Sequence, residues 1–161
     1  MDKDIKELQL ASFRLDDKLF ALDIIRIREI VLPHKISALP RVSKLLDGMI
    51  NLRGVVIPVM NLRNRFDMPP LFGSAGKLMI VSICGRPVAL AVDDVDEVLT
   101  VQVKDIVPPP DMVEGVGAEC LVGVCLSNET LYMILNIDAL FTVSEQFELV
   151  RFSGEMQNAG N

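Results

Sequence analysis

The sequence holds no tryptophan, one tyrosine and one histidine, and its three cysteines are an odd number for a disulfide framework. Cys84, Cys120 and Cys125 show no CxxC spacing and lie in apolar runs. That pattern excludes a zinc ribbon and predicts buried thiols in a reducing compartment. His34 follows Pro33 in an expected loop, and a lone imidazole supplies neither a metal site nor a catalytic dyad. HExxH, GxSxG and the P-loop Gly-Lys-Ser are all missing, and Gly115 with Gly117 makes only a GxG inside a loop. Without a nucleophile, base or metal set to converge on one pocket, the chain is expected to be no enzyme and to carry no cofactor.

Positive charge is also in short supply. Sixteen Lys and Arg stand against 22 Asp and Glu, a formal charge of −6 and a pI near 4.8. A nucleic-acid partner needs a surplus of cations on the binding face, so the expected partner is a protein. Long hydrophobic runs are missing too, because Lys, Arg, Asp or Glu interrupts every apolar stretch before the roughly 18 residues needed to cross a bilayer. The opening MDKDIKEL has no apolar h-region, so secretion is not expected and the cytoplasm is the expected location.

What the chain does have is apolar residues at half of its 161 positions, enough to bury the core of a single domain. Short segments rich in Val, Ile and Leu recur at 8–15, 18–24, 49–52, 55–60, 77–83, 86–92, 120–126 and 130–136, bounded by Asp-Asp, Gly, Pro or Ser-Asn. A mainly β fold follows from that spacing. Helix is expected only over Asn61–Phe66 and Ile137–Phe147, each directly after a strand.

The order of elements repeats. A shift of 68 residues brings Ala21 onto Ala89, Leu22 onto Leu90, Glu29 onto Glu97 and Ile30 onto Val98. A shift of 75 brings Gly48 onto Gly123, Val59 onto Ile134, Asn61 onto Asn136, Leu62 onto Ile137 and Phe66 onto Phe141. Two copies mean a duplicated module, since a solenoid needs three or more stacked repeats. Two small β-barrels related by pseudo-symmetry are expected, over about 8–73 and 77–147, with strand exchange between them allowed and a polar tail over 148–161. Their charges differ: through Gly73 there are 12 Lys and Arg against 9 Asp and Glu, and from Ser74 onward 4 against 13. Such asymmetry bears on association and suggests two distinct docking surfaces. The acidic run Asp93-Asp94-Val95-Asp96-Glu97 lacks the glycine and distal glutamate of a calcium loop, so it is expected to be a solvated edge.

The most distinctive stretch is GMINLRGVVIPVMNLRNRF, residues 48–66. Two apolar strands flank Arg53-Gly54; Gly54 supplies the positive φ of a tight turn, and the arginine is held out of the sheet. That arginine is either a solvated turn residue or a recognition group on a rigid mount.

The run Gly48-x-x-Asn51-Leu52-Arg53-Gly54-x-x-x-Pro58-Val59-x-x-Leu62-Arg63 resembles the signature of the CheW-like domain family. Phe20–Ile24 with Ile27-Arg28-Glu29-Ile30, then Pro108–Pro110, Cys120–Gly123 and Leu131–Phe141, are similar to its remaining elements, so the resemblance covers roughly 8–147. It implies two packed SH3-like five-stranded β-barrels around a shared core, and a non-enzymatic chemotaxis adaptor. The implied partners are the cytoplasmic tip of methyl-accepting chemoreceptors and the regulatory domain of the histidine kinase CheA, with membrane association only through receptor arrays. It further implies Arg53, Asn51, Gly54, Glu29 and Ile27 as the receptor-facing set. The kinase contact is implied to be apolar and at a barrel end. Asp16-Asp17 stands where many members have glycine in the first hairpin turn, and Asn61 and Asn136 replace the usual Asp, as N-caps of the short helices. With no receiver domain or kinase module after the polar tail, a stand-alone adaptor is expected. The alternatives are an adaptor of a non-flagellar chemosensory pathway and a small β-barrel ligand-binding module.

Overall fold

The computed structural model describes residues 6–32, 36–37, 46–69, 76–109, 118–142, 144–147 and 149–151. Ten strands run β1 Glu7–Leu15, β2 Lys18–Asp23, β3 Ile27–Val31, β4 Gly48–Leu52, β5 Val55–Asn61, β6 Lys77–Ile83, β7 Arg86–Val92, β8 Asp94–Gln102, β9 Leu121–Ser127 and β10 Thr130–Leu135. They form two five-stranded sheets, in the orders β8-β1-β2-β10-β9 and β3-β6-β7-β5-β4. The mainly β expectation holds, and each expected five-stranded unit is present as a five-stranded sheet. His34, Gly115, Gly117, Pro110 and most of the 148–161 tail lie outside the described residues.

Each sheet draws its strands from both repeats, and does so reciprocally. The first joins the β1–β2 hairpin of one copy to β8, β9 and β10 of the other; the second joins β6–β7 to β3, β4 and β5. The parallel seams sit at matching places: Met133–Ile134 beside Phe20–Ala21, and Val59–Asn61 beside Ala89–Ala91. Three apolar clusters follow from period-2 alternation along the strands. Leu10, Ala21, Tyr132 and Ile134 belong to one sheet's own cluster, and their counterparts Leu78, Ala89, Ile57 and Val59 to the other's. The opposite faces meet in a larger cluster that includes Phe13, Phe20, Met60, Phe66, Met79 and Leu90, with Phe20 stacked between Phe13 and Phe66 at centroid distances of 5.4 and 5.6 Å.

The aligned glycines have a common cause. A Cβ on Gly48 would collide with the Ser37 carbonyl oxygen, and one on Gly123 with the Val107 carbonyl oxygen. In each copy an isolated antiparallel bridge, Ser37 with Met49 or Val107 with Val124, presses a backbone against the start of the fourth strand. Only glycine leaves room for that approach.

Several local expectations change in the folded chain. Asn61 caps the one-turn helix α1, Leu62–Arg65, by accepting from the Arg63 N–H at 2.9 Å. Asn136 makes no such bond; after it comes a 3-10 turn, Ile137–Ala139, and the expected 137–147 helix shrinks to α-helical residues 144–147. Cys120 and Cys125 are buried, which pushes both thiols above their ordinary range, but Cys84 is exposed. It sits with φ +54° beside Gly85 in the β6–β7 turn, so its apolar neighbours in sequence do not cover it.

Candidate functional site

The β4–β5 hairpin closes on Arg53 and Gly54, with φ +51° and +86°. Positive φ at both central residues is the hallmark of the type I′ turn, whose twist matches that of the flanking strands. Leu52 pairs with Val55 directly beneath it. Asn51 Oδ1 accepts from the Gly54 N–H at 2.8 Å, bracing the turn across its mouth. Asn51 and Gly54 therefore shape the mount, and Arg53 is what the mount displays: its side chain is 69% exposed.

Glu29 reaches the same place from the edge strand β3. The β3–β6 register slips between Ile27 and Glu29, a bulge that places Arg28 out of register. Bulges re-aim side chains at sheet edges, and here the Glu29 carboxylate meets the Arg53 guanidinium as an ion pair across the two edge strands β3 and β4. Ile27 is placed differently. It pairs with Val81 and is half-buried against the shared core, so its contribution is packing beneath the edge. The approach to β3 is tied down by Arg26, which forks onto Asp138 at 2.8 and 3.0 Å and donates to the Ser82 carbonyl at 3.3 Å. That pairing holds the Asp138 carboxyl below its ordinary range, through the Arg26 hydrogen bond first.

A second polar cluster, not anticipated from the sequence, lies at the far end of β5. Arg63, on α1, is only 5% exposed. Its Nε donates to Asp93 Oδ1 at 2.7 Å and its Nη2 to Asp93 Oδ2 at 2.6 Å, with further bonds to the Pro69 carbonyl at 2.7 Å and to Asp16. Asp93 also accepts from the Asp16 N–H at 2.6 Å. The cluster joins the first hairpin turn of one sheet to α1 and the end of β7 in the other. Burial pushes the Asp93 carboxyl up, but the Arg63 hydrogen bond, the Asp16 N–H and the guanidinium charge outweigh it, so the group lies below the usual range. The expected solvated edge at 93–97 is corrected accordingly. Asp93 is mostly buried and paired, while Asp94 and Asp96 lie in β8 and pair with Lys77 and Arg14. Asp16, with φ +58°, fits a turn position where glycine is common, and its carboxylate supplies a partner that glycine lacks. The available sequence signal was Arg63 itself, a charge between apolar positions immediately behind an N-cap.

Among the described residues no group of three or more His, Cys, Asp or Glu is arranged to hold a metal ion, and no helix is long and apolar enough to cross a membrane. The arrangement offers a guanidinium on a braced turn, and no converging nucleophile and base.

A family profile described as the CheW-like domain matches residues 9–145. The chemotaxis protein CheW of Treponema pallidum is 28% identical over 145 residues, covering 87% of this chain and 85% of that protein. The probable chemotaxis protein CheW of Rhizobium etli is 31% identical over 138 residues, covering 85% and 89%. The crystal structure of scaffolding protein TtCheW from Thermoanaerobacter tengcongensis matches with a TM-score of 0.78 at 28% identity, over 90% of this chain and 96% of that one. Sequence signature, reciprocal sheets and these matches agree, and the chain belongs to the CheW-like domain family.

Proposed function

We propose that this protein is a non-enzymatic scaffold of bacterial chemotaxis that couples methyl-accepting chemoreceptors to the histidine kinase CheA, working in the cytoplasm beneath receptor arrays. The observation that carries the receptor half is the Arg53 turn. An exposed guanidinium on a braced hairpin tip presents a planar fork suited to a carboxylate or a helix C-terminus, and little side-chain entropy remains to be lost when the mount is rigid. Asn51 and Gly54 hold the turn, Glu29 orients the guanidinium, and Ile27 supports the edge from below. The family match and the scaffold protein of like fold support the adaptor role as a whole.

Replacing Arg53 tests the receptor half. Its pair with Glu29 is exposed, and such pairs contribute up to about 1 kcal/mol. Arg53→Ala is therefore expected to keep the wild-type Tm within about 4 °C. Binding to a purified receptor cytoplasmic fragment should weaken about thirtyfold, the equivalent of about 2 kcal/mol for an arginine hot spot. Arg53→Lys should restore only part of the loss, because an ammonium cannot reproduce the fork. Unchanged receptor affinity in Arg53→Ala would show the arginine to be a solvated turn residue.

The kinase half has its own test. Calorimetric titration of the wild-type chain with the CheA regulatory domain is expected to show a saturable, reversible complex. No heat and no complex at high micromolar concentrations of both would remove the coupling role.

A further inference from the structure

The duplication supplies an internal control for the surface of the second copy. The β9–β10 hairpin turns on Asn128 and Glu129, with φ +52° and +64°, the same turn geometry as Arg53 and Gly54. Beside it, the second copy places aliphatic side chains where the first places polar ones. Val122 stands for Asp47, Leu126 for Asn51 and, on the adjoining bridge, Val107 for Ser37. These valines and leucines are open to solvent: Val107 is 51% exposed, Val122 54%, Leu126 67% and Leu131 55%.

They also share one face. Leu126 pairs directly with Leu131, while Val107 bridges to Val124, which lies between Val122 and Leu126 on the same side of β9. Scattered single apolar residues are ordinary on a surface; a contiguous aliphatic row is not. The fold does not require the row, because the same scaffold positions in the first copy are filled by Asp47, Asn51 and Ser37. Its surroundings are acidic: between residues 103 and 131 the sequence has five Asp or Glu and one Lys, and Asp105, Glu119 and Glu129 are exposed.

We propose that this face of β9 and β10 is a second protein-docking surface, for a partner that presents an apolar centre within a basic rim. The assignment rests on the adaptor reading above, and it makes the kinase regulatory domain the occupant, leaving the Arg53 turn to the receptor. A scaffold needs two surfaces that can be filled at once, and the two copies of the hairpin meet that need with opposite chemistry on one backbone design. Docking buries the aliphatic row, and Glu129 steers a basic partner toward it.

The test titrates wild type, Leu126→Ser/Leu131→Ser, Glu129→Lys and Arg53→Ala against two probes, the CheA regulatory domain and a receptor cytoplasmic fragment. All four positions are exposed, so unchanged Tm values are expected, and Glu129→Lys stands alone should the double variant misfold. The double variant is expected to bind the kinase domain at least about tenfold more weakly and the receptor fragment as wild type does. Glu129→Lys should weaken kinase binding severalfold at low salt and less at high salt. Arg53→Ala should leave kinase affinity unchanged. Wild-type kinase binding retained in both the double variant and Glu129→Lys would overturn this assignment and leave the adaptor reading standing. So would a loss confined to the receptor fragment, or wild-type self-association abolished by the double variant, which would give the face to another occupant. A wild-type chain that binds no kinase domain would sink the coupling reading, and this assignment with it.

Discussion

Dividing the chain between residues 74 and 75 is expected to yield two fragments that do not fold alone and that regain the native fold when mixed. The division separates the two sequence repeats, yet neither repeat is a sheet. Residues 1–74 carry the β1–β2 hairpin of one sheet and β3, β4 and β5 of the other, so each fragment holds partial sheets with open edges. The shared cluster is divided as well: of the buried residues it contains among those described, Phe13, Leu15, Phe20, Leu22, Met60, Leu62 and Phe66 belong to the first fragment and the rest to the second. Chains of about 70 residues have little stability to spare even with a complete core. Circular dichroism and amide chemical-shift dispersion should show each fragment unfolded or associated, with native signals returning at an equimolar mixture. Two monomeric fragments that each unfold cooperatively would refute the shared-core account.

Removing the Arg63 side chain is expected to be the most damaging single change at a charged position. Arg63→Ala leaves the largely buried Asp93 carboxylate without its cation, and breaking a buried pair by deleting one partner costs about 3–5 kcal/mol. Asp16 is half-exposed and can turn to water, so the low end of that range is expected, a fall in Tm of about 6–12 °C at this chain length. Asp93→Asn added to Arg63→Met should recover much of the loss, because the amide oxygen still accepts the Asp16 N–H without a stranded charge.

The pH dependence gives a second reading of the same cluster. The Asp93 carboxyl lies below its ordinary value in the folded protein, so its pairing stabilises the fold above the unfolded-state pKa near 3.9 and is lost as pH falls through the lower folded value. In Arg63→Ala, burial acts without the opposing cation and drives that carboxyl upward, which reverses the sign. The stability gap between wild type and variant should therefore be widest near neutrality and narrow below about pH 4. Chemical denaturation at pH 7 and pH 3.5 measures it. A gap independent of pH would place the Arg63 contribution in its packing and in its bond to the Pro69 carbonyl.

Strand-rich composition, the repeat and the hairpin turns were legible because each rests on local rules: period-2 apolar alternation, residues fitted for positive φ, and glycine where two backbones meet. The expected turn at Arg53-Gly54 formed as a type I′ hairpin for that reason. Strand β8 was hidden, since Asp93–Glu97 reads as a solvated charge run, while three of its acids find cations on β1, β6 and α1. Asn136 copies Asn61 in sequence yet caps nothing, because a 3-10 turn follows where α1 stands in the first copy.

The sequence by itself determined the elements, their duplicated order and the residue at the tip of each hairpin, all of which depend on neighbours a few positions away. Only the tertiary structure decided which strands share a sheet, that Glu29 faces Arg53, that Arg63 is buried between Asp16 and Asp93, and that Val107, Val122, Leu126 and Leu131 form one open face. Those pairings join residues separated by 24 to 77 positions, or by the turn of a strand toward one side. They are set by the reciprocal exchange of strands, which burial of the large shared core favours over two self-contained sheets.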